Sequence, residues 1–378
     1  MTPEAAMRRA LAQARLASGR TFPNPAVGAV VFRGDRVLGL GRTRPAGGAH
    51  AEVVAIEAAR RRHGERALRG ASLAVTLEPC SHVGRTAPCA DLVARVGIAR
   101  VYVGHVDPHP AVSGRGVQRL RRAGVRVRLD VLEAQCRAQH RGFLAVVERG
   151  RPFVALKLAS TLDGRIATAA GESRWITGAR ARAAVHALRA RADAILVGSG
   201  TALADDPELT ARRGSRVVHR PWRVLVDSRL RVPPTARLFA GAPGESLVLC
   251  AAGAPRARRR ALEARGVRVL EVPGRAGALD LRRALARLAR QGPTEVLVEG
   301  GGQLGAALLR AGIVDEVHWF AAARLLGSDG REALGPLGVR ALARAPLLRD
   351  VCVRRLGEDL YVRGCLGRSG SAGGEAAR

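Results

Sequence analysis

The sequence predicts an α/β protein of two consecutive domains, and three observations carry that expectation. Strand-length apolar runs alternate with helix-length amphipathic stretches along most of the chain, the pattern of layered α/β domains. The alternation pauses at Gly150-Arg151-Pro152, a natural boundary. A length of 378 residues suffices for two ordinary cores. The expected division is 1–149, 150–366 and a tail, 367–378, whose residues GRSGSAGGEAAR read as disordered.

The N-terminal stretch MTPEAAMRRALAQARLASGR is basic and amphipathic, as organelle presequences are. It reads instead as a first helix burying Ala6, Leu11 and Ala14, because motif-like residues begin at Asn24. Strand-like VGAVVF and RVLGLG follow, then helix-like AEVVAIEAARRR. ASLAVTLEPC runs from strand into loop, APCADLVARVG is helical, RVYVGHV a strand, GVQRLRRAG a helix and VRVRLDV a strand. LEAQCRAQHRGFLAVVERG closes the domain as one helix. The second series has strands PFVALKLAS, ADAILVGSG, WRVLVDS, SLVLCAA, VRVLEVP and EVLVEGGG, with helices RARAAVHALRARA and LDLRRALARLARQG between them. VHWFAAARL and DLYVRGCL are its last strands, and no internal repeat is visible.

A formal charge of +31 invites a nucleic-acid reading. The cations are spread over the whole chain, however, and aromatic residues make up only 3%, a poor supply of stacking platforms. Lys157 is the only lysine among 63 basic residues, a skew that points to coding bias rather than a binding surface. No nucleic-acid partner is expected; small phosphorylated ligands fit. No apolar run approaches the ~20 residues of a membrane span, so no membrane partner is expected either, and the compartment expected is the cytoplasm. Without a secretory signal, a disulfide framework among the six cysteines is not expected. Only Cys80 and Cys89 share a polar, turn-rich segment.

In GGAHAEVVAIEAA, residues 47–59, His50 and Glu52 open an otherwise apolar helix. Downstream, TLEPCSHVGRTAPC places Cys80 and Cys89 with eight residues between them. One imidazole and two thiolates suit Zn²⁺ and leave a fourth tetrahedral position for water. The alternative is a closed structural site with His82 as fourth ligand. Glu52, two residues beyond His50, favours the open site, because its carboxylate can move protons between that water and a leaving amine. H-x-E followed by P-C and a later Cys is the signature of zinc nucleobase deaminases, although C-x-x-C is its commoner form.

PNPAVGAVVF, AHAEVVAI and TLEPCSHVGRTAPC resemble the deaminase half of the bifunctional riboflavin-biosynthesis deaminase/reductase family, which has the longer cysteine gap. RPFVALKLASTLDGRIATAAGESRWITG, AILVGSGTALADDPELTAR and EVLVEGGGQLGAALL resemble its reductase half. The resemblance implies a cytidine-deaminase-like α/β/α domain followed by a dihydrofolate-reductase-like α/β domain. In the first it implies zinc on His50, Cys80 and Cys89, with Glu52 as proton shuttle. Asn24 would contact the pyrimidine edge, or serve only as a turn former before Pro25, and His82 and Arg85 would lie near the substrate. Three positions depart from the family: Thr43 for a histidine, Ala87 for a proline and His109 for an asparagine.

Gly300, Gly302 and Gly305 match G-x-G-x-x-G between a strand and a helix, where backbone amides can hold a pyrophosphate. No second mononucleotide-binding half can follow so near the chain's end, so a Rossmann reading fails. In a chain built on arginine, a lone lysine points to a need for a compact ammonium rather than a planar fork. The resemblance places Lys157, Asp205 and Glu299 around the hydride-accepting carbon, with Asp205 also toward the cofactor. It further implies Ser173, Arg189, Leu209, Arg212 and Glu299 for substrate, with the arginines on its 5′-phosphate. Ala159, Trp175, Thr201, Ser228, Gly301 and Gly302 would line an NADPH site, although Trp175 also reads as a packed aromatic. The implied reactions are hydrolysis of the 2-amino group of 2,5-diamino-6-ribosylamino-4(3H)-pyrimidinone 5′-phosphate and NADPH-dependent reduction of its ribosyl chain to ribityl. A homo-oligomer is expected.

Overall fold

The computed structural model describes residues 1–81, 87–110, 112–275 and 277–367. These form two compact units: Met1–Pro152 with Ala289–Thr294, and Phe153–Leu288 with the residues from Glu295 onward.

The first unit opens with helix α1 (Pro3–Ala17), started by Thr2, whose hydroxyl accepts from the Ala5 amide, and by proline at its first position. Strands β1 (Gly28–Arg33) and β2 (Arg36–Arg42) form a hairpin. Helix α2 (Ala51–His63), strand β3 (Ser72–Val75), helix α3 (Cys89–Arg95) and strand β4 (Arg100–Val103) follow. Helix α4 (Arg115–Arg122), strand β5 (Arg126–Arg128) and helices α5 (Glu133–Gln139) and α6 (Arg141–Arg149) complete it. The sheet runs β2-β1-β3-β4-β5, antiparallel in its first two pairings and parallel in the rest.

Period-two alternation sorts the strand residues onto two faces. Ala29 and Val31 meet Ala55, Ile56 and Ala59 of α2 and Val93 of α3. Val30 and Phe32 meet Ala6, Met7 and Leu11 of α1 and Cys136 of α5. The result is an α/β/α sandwich. The single closing helix expected from the sequence is divided at His140, whose backbone (φ −98°, ψ 14°) leaves the helical region. Its buried ring lies between Thr76 Oγ1, 3.2 Å from Nε2, and His105 Nε2, 2.9 Å from Nδ1.

The second unit begins with β6 (Phe153–Thr161), β7 (Arg165–Ala167) and α7 (Ala179–Arg189). Next come β8 (Ala194–Gly198), α8 (Ser199–Asp205), β9 (Ala211–Arg213), β10 (Arg216–His219) and β11 (Trp222–Val226). β12 (Ser246–Ala251), α9 (Arg256–Glu263), β13 (Arg268–Val272), β14 (Gly274–Arg275) and β15 (Ala278–Leu279) lead to α10 (Leu281–Ala289). β16 (Glu295–Val298), α11 (Gly302–Arg310), β17 (Glu316–Ala322), β18 (Arg331–Glu332), β19 (Leu348–Leu356) and β20 (Asp359–Leu366) end it.

Among the described residues its main sheet has nine strands in the order β13-β12-β11-β8-β16-β6-β17-β20-β19. The first seven are mutually parallel and the last two add antiparallel. One face packs Leu156, Val224, Leu247 and Val298 on Leu285 and Leu288 of α10 and Leu308 of α11. On the other face, Ile195, Val197 and Val248 cover Leu262 of α9. Strand β19 is exposed on both faces for most of its length.

Candidate active sites

In the first unit the chain delivers three ligand-type side chains from two directions. His50 is the N-cap of α2, and Cys89 is the first residue of α3. Cys80 ends the turn leaving β3. His50 Nδ1 lies 3.6 Å from Cys80 Sγ and 3.3 Å from Cys89 Sγ, and the ligand atoms all fall within 4.8 Å of one another. A tetrahedral zinc with bonds of 2.0–2.3 Å has ligand–ligand edges of about 3.3–3.8 Å, so the donor set fits the ion. The Cys89 amide donates to Cys80 Sγ at 3.3 Å. Hydrogen bonding to the Cys89 thiol, aided by His50, pulls Cys80 down to about 4; the Cys80 sulfur and burial push Cys89 up. The hydrogen bond to Cys80 raises His50 against the effect of its burial. One thiolate is therefore already favoured, which suits a cation.

Glu52 is 4% exposed in the first turn of α2. Burial first, then the negative Cys80, push its carboxyl up to about 7, with His50 and a hydrogen bond to Cys89 opposing. A carboxyl poised near neutrality can both take and give a proton.

Sequence reasoning missed Glu78. Its buried carboxylate accepts from the amides of Asp107 at 3.1 Å and Gly114 at 2.9 Å on Oε2, and Val117 at 3.0 Å on Oε1. It thereby ties the turn carrying Cys80 to the start of α4. The signal was an acidic residue between a buried strand and Pro79, where nothing polar is otherwise needed. Asn24 lies in the turn before β1, its carbonyl accepting from the Thr21 hydroxyl at 3.0 Å. Thr43 is buried, with its hydroxyl 3.1 Å from the Val27 amide that donates to it. His82 and Arg85 lie outside the described residues.

In the second unit, Lys157 on β6 pairs in register with His318 on β17. Glu299 follows β16, the neighbour of β6 on the other side. Burial lowers Lys157; Glu299 and Asp205 pull it back and Arg189 lowers it further, so the four groups form one electrostatic cluster. Burial pushes Glu299 up, but Arg189, Lys157 and His186 outweigh it and hold the carboxyl low. Arg189, expected at the phosphate, grips Glu299 with Nε–Oε1 2.6 Å and Nη2–Oε2 2.8 Å. Arg212 pairs with Glu208, and its backbone amide donates to His186 Nδ1 at 3.2 Å. Neither His186 nor Glu208 was singled out in the sequence, where each reads as an ordinary polar residue.

Gly301 caps α11 and donates its amide to Thr201 Oγ1 at 2.9 Å. A Cβ on Gly302 would lie 2.9 Å from the Glu332 carbonyl, so only glycine fits that strand-to-helix turn. Ala159 stands two residues beyond Lys157 on β6, on the same face. Leu209 is buried with φ +55°, a left-handed conformation that costs a non-glycine residue about 1–2 kcal/mol. Trp175 is 64% exposed, with the Arg182 guanidinium over its ring at 4.7 Å. Ser173 lies in the same loop, and Ser228 follows β11. Among the described residues no hydrogen bond joins these last three to the Lys157 cluster.

Residues 152–362 match the family model described as the RibD C-terminal domain. Residues 1–105 match the cytidine and deoxycytidylate deaminase zinc-binding region. The riboflavin biosynthesis protein RibD of Escherichia coli is 40% identical over 372 residues, covering 95% of this chain and 98% of its own. The chain belongs to the RibD family. RibD of Aquifex aeolicus is 38% identical over 356 residues, 94% of this chain and 96% of its own. The solved RibD of Acinetobacter baumannii superposes with a TM-score of 0.85 at 35% identity, covering 97% of this chain and 99% of that one. A Thermotoga maritima structure, described as a diaminohydroxyphosphoribosylaminopyrimidine deaminase/5-amino-6-(5-phosphoribosylamino)uracil reductase, gives 0.83 at 35% identity with the same coverage. The chain is thus a bifunctional RibD enzyme of riboflavin biosynthesis, a zinc-dependent deaminase joined to an NADPH-dependent reductase. The cytidine-deaminase-like and dihydrofolate-reductase-like folds expected of the two domains are those found.

Proposed function

We propose that the first unit hydrolyses the 2-amino group of 2,5-diamino-6-ribosylamino-4(3H)-pyrimidinone 5′-phosphate, and that the second reduces the ribosyl chain of the product to ribityl. The observation that carries the first half is Glu52, buried beside the His50–Cys80–Cys89 trio. The trio holds zinc, which supplies Lewis acidity toward a water molecule. Glu52 takes the proton of the attacking water and returns it to the departing amine, so that C–NH₂ and water become C=O and ammonia. Asn24, His82 and Arg85 bind the pyrimidine and its substituents.

In the second unit NADPH supplies the hydride, and the chain positions both partners. Lys157 donates a hydrogen bond to the opened sugar next to the carbon that receives hydride, while Asp205 and Glu299 orient its hydroxyls. Arg189 and Arg212 take the 5′-phosphate, with Ser173 and Leu209 along the substrate. The ion pair of Arg212 with Glu208, each about a third exposed, is of the weak kind. Gly301 and Gly302, with Thr201, Ala159, Trp175 and Ser228, hold the cofactor, with the amides at the start of α11 toward its phosphates.

The two activities are assigned to residues 1–149 and 150–366, a division three residues before the compact units part at Pro152, and residues 367–378 are given no role. The chain works in the cytoplasm on small molecules, without nucleic acid or membrane; among the described residues no helix is long and apolar enough to cross a bilayer. It self-associates. Exposed Val351 and Val353 on β19 and Leu360 on β20 support that reading, which sedimentation at micromolar concentration checks.

The test of the deaminase site is Glu52→Gln, which should retain zinc and still oxidise NADPH when given the deaminated intermediate, yet lose ammonia release. Ammonia release near the wild-type rate would refute the assignment.

A further inference from the structure

A chain of buried hydrogen bonds crosses the first unit, and one carbonyl fixes which way every proton in it points. His105 Nδ1 lies 2.9 Å from the Val106 carbonyl, and a carbonyl oxygen can only accept. The proton of His105 is therefore on Nδ1. Burial disfavours a second proton on the ring, so Nε2 is left as an acceptor. His140 Nδ1, 2.9 Å away, must supply the proton of that contact. Burial keeps His140 neutral as well, so its Nε2 accepts, and the Thr76 hydroxyl at 3.2 Å donates to it. Thr76 Oγ1 in turn accepts from the Gly28 amide at 3.1 Å. His105, His140 and Thr76 are at most 2% exposed, so bulk water cannot stand in for a missing partner.

Both ends of this chain reach segments that carry the deaminase site. Gly28 opens β1 just after the turn that holds Asn24, and its carbonyl accepts the Thr76 amide at 3.0 Å. Two further threonines hold the same turn. The Thr21 hydroxyl donates to the Asn24 carbonyl at 3.0 Å, and Thr43 Oγ1 accepts the Val27 amide at 3.1 Å. The Ala26 carbonyl also lies beside the His140 ring. Thr76 follows β3 directly, on the segment that runs on to Cys80. At the far end, the His105 carbonyl accepts the Glu78 amide at 3.1 Å, and the Asp107 amide donates to Glu78 Oε2 at 3.1 Å. The two imidazoles thus bridge the backbone before β1, after β3 and after β4. Asn24 is partly buried, and among the described residues no group engages its side-chain amide.

We propose that His105, His140 and Thr76 form a positioning relay of the deaminase: they hold the Asn24 turn in fixed register with the segment that carries Cys80. Each neutral imidazole has one proton to place, so the relay is satisfied in a single arrangement. The Thr76 hydroxyl, with its proton committed to His140, keeps a lone pair on the Gly28 amide and has no reason to rotate. The pyrimidine contact and the metal ligand then keep one separation before substrate arrives. This inference rests on the reading of Asn24 as a substrate contact.

The experiment uses the full chain and the diaminopyrimidine phosphate, with ammonia release as readout. Zinc content and NADPH oxidation on the deaminated intermediate are the controls. Thr76→Val keeps the shape but removes both the donor and the acceptor. It should lower kcat/KM about 100-fold, the penalty of a misplaced contact, with both controls unchanged. Asn24→Ala should lose at least as much, and the two substitutions together should be no slower than Asn24→Ala alone. Thr76→Ser restores the hydroxyl and should recover the wild-type rate. His140→Gln offers one acceptor and one donor side by side, as the neutral ring does, and should stay near it, whereas His140→Phe should fall with Thr76→Val. If Thr76→Val loses zinc, His140→Phe is judged by the same criteria, and zinc loss in both would show a merely structural role and overturn the proposal. Losses that multiply in the double variant would overturn it too, as would wild-type ammonia release in Thr76→Val and His140→Phe, or a Thr76→Ser chain as slow as Thr76→Val. An unimpaired Asn24→Ala would instead remove the substrate reading of Asn24, and the proposal with it.

Discussion

Helix α2 owes its position at the His50–Cys80–Cys89 trio to two residues that have no side chain. A Cβ on Gly41 of β2 would lie 2.1 Å from the Ala51 carbonyl and 2.4 Å from the Ala55 amide. Gly39 repeats the approach one turn later, 2.1 Å from the Ala55 carbonyl. Real Cβ contacts do not fall below 3.0 Å, so Gly41→Ala must open the helix–strand distance by about 0.9 Å at the first turn of α2. His50 and Glu52 ride on that turn, whereas Cys80 and Cys89 do not. Sites of this kind tolerate displacements of about 0.5 Å, and a 1 Å error costs about 100-fold in rate. Gly41→Ala should therefore cut ammonia release about 100-fold and weaken zinc retention against a chelator, while NADPH oxidation on the deaminated intermediate is unchanged. Gly28→Ala is the matched control. Its Cβ would meet the Ala10 carbonyl at 1.9 Å, on the opposite face, against α1, which carries none of the site. Both variants should lose about 1–3 kcal/mol to overpacking, but only Gly41→Ala should lose metal and turnover. Wild-type ammonia release in Gly41→Ala, or an equal loss in Gly28→Ala, would refute the reasoning.

Two further outcomes follow from groups in each unit. Burial, with His105 adding, pushes His140 down to about 3. The unfolded chain, with an ordinary value near 6.5, therefore binds the extra proton between those limits, and stability falls as pH drops through that window, by at most about 1.4 kcal/mol per pH unit. Amide exchange in Ser72–Val75 at pH 7 and pH 5, corrected for intrinsic rates, should show this loss, and His140→Gln should flatten it; an unchanged slope would count against it. Lys157→Arg should lower NADPH oxidation about 100-fold or more, the typical scale of a displaced proton donor, leaving ammonia release intact. A variant retaining a tenth of the wild-type rate would show that charge alone suffices there.

The strands and helices that build the two sheets were legible because each has one buried face, and burial imposes period. VGAVVF became β1, with Ala29 and Val31 on one side and Val30 and Phe32 on the other. That His50, Cys80 and Cys89 come together was legible across 39 residues of separation because zinc chemistry restricts ligand types severely. Strand β19 was not, since LRDVCVRRL is exposed on both faces and carries no alternation. The break at His140 was invisible for a different reason. Its partners, Thr76 and His105, lie 64 and 35 residues away, and helical propensity holds no trace of them. The same holds for the ion pair of Arg189 with Glu299, whose partners lie 110 residues apart.

The solitary lysine has a practical side. With 62 of 63 cationic side chains being guanidinium groups, the exterior offers reagents that acylate or reductively alkylate primary amines no lysine except the one beside Glu299. Beyond the α-amino group, such a reagent would mark a single interior address, and its rate of incorporation would gauge how often that buried amine meets solvent.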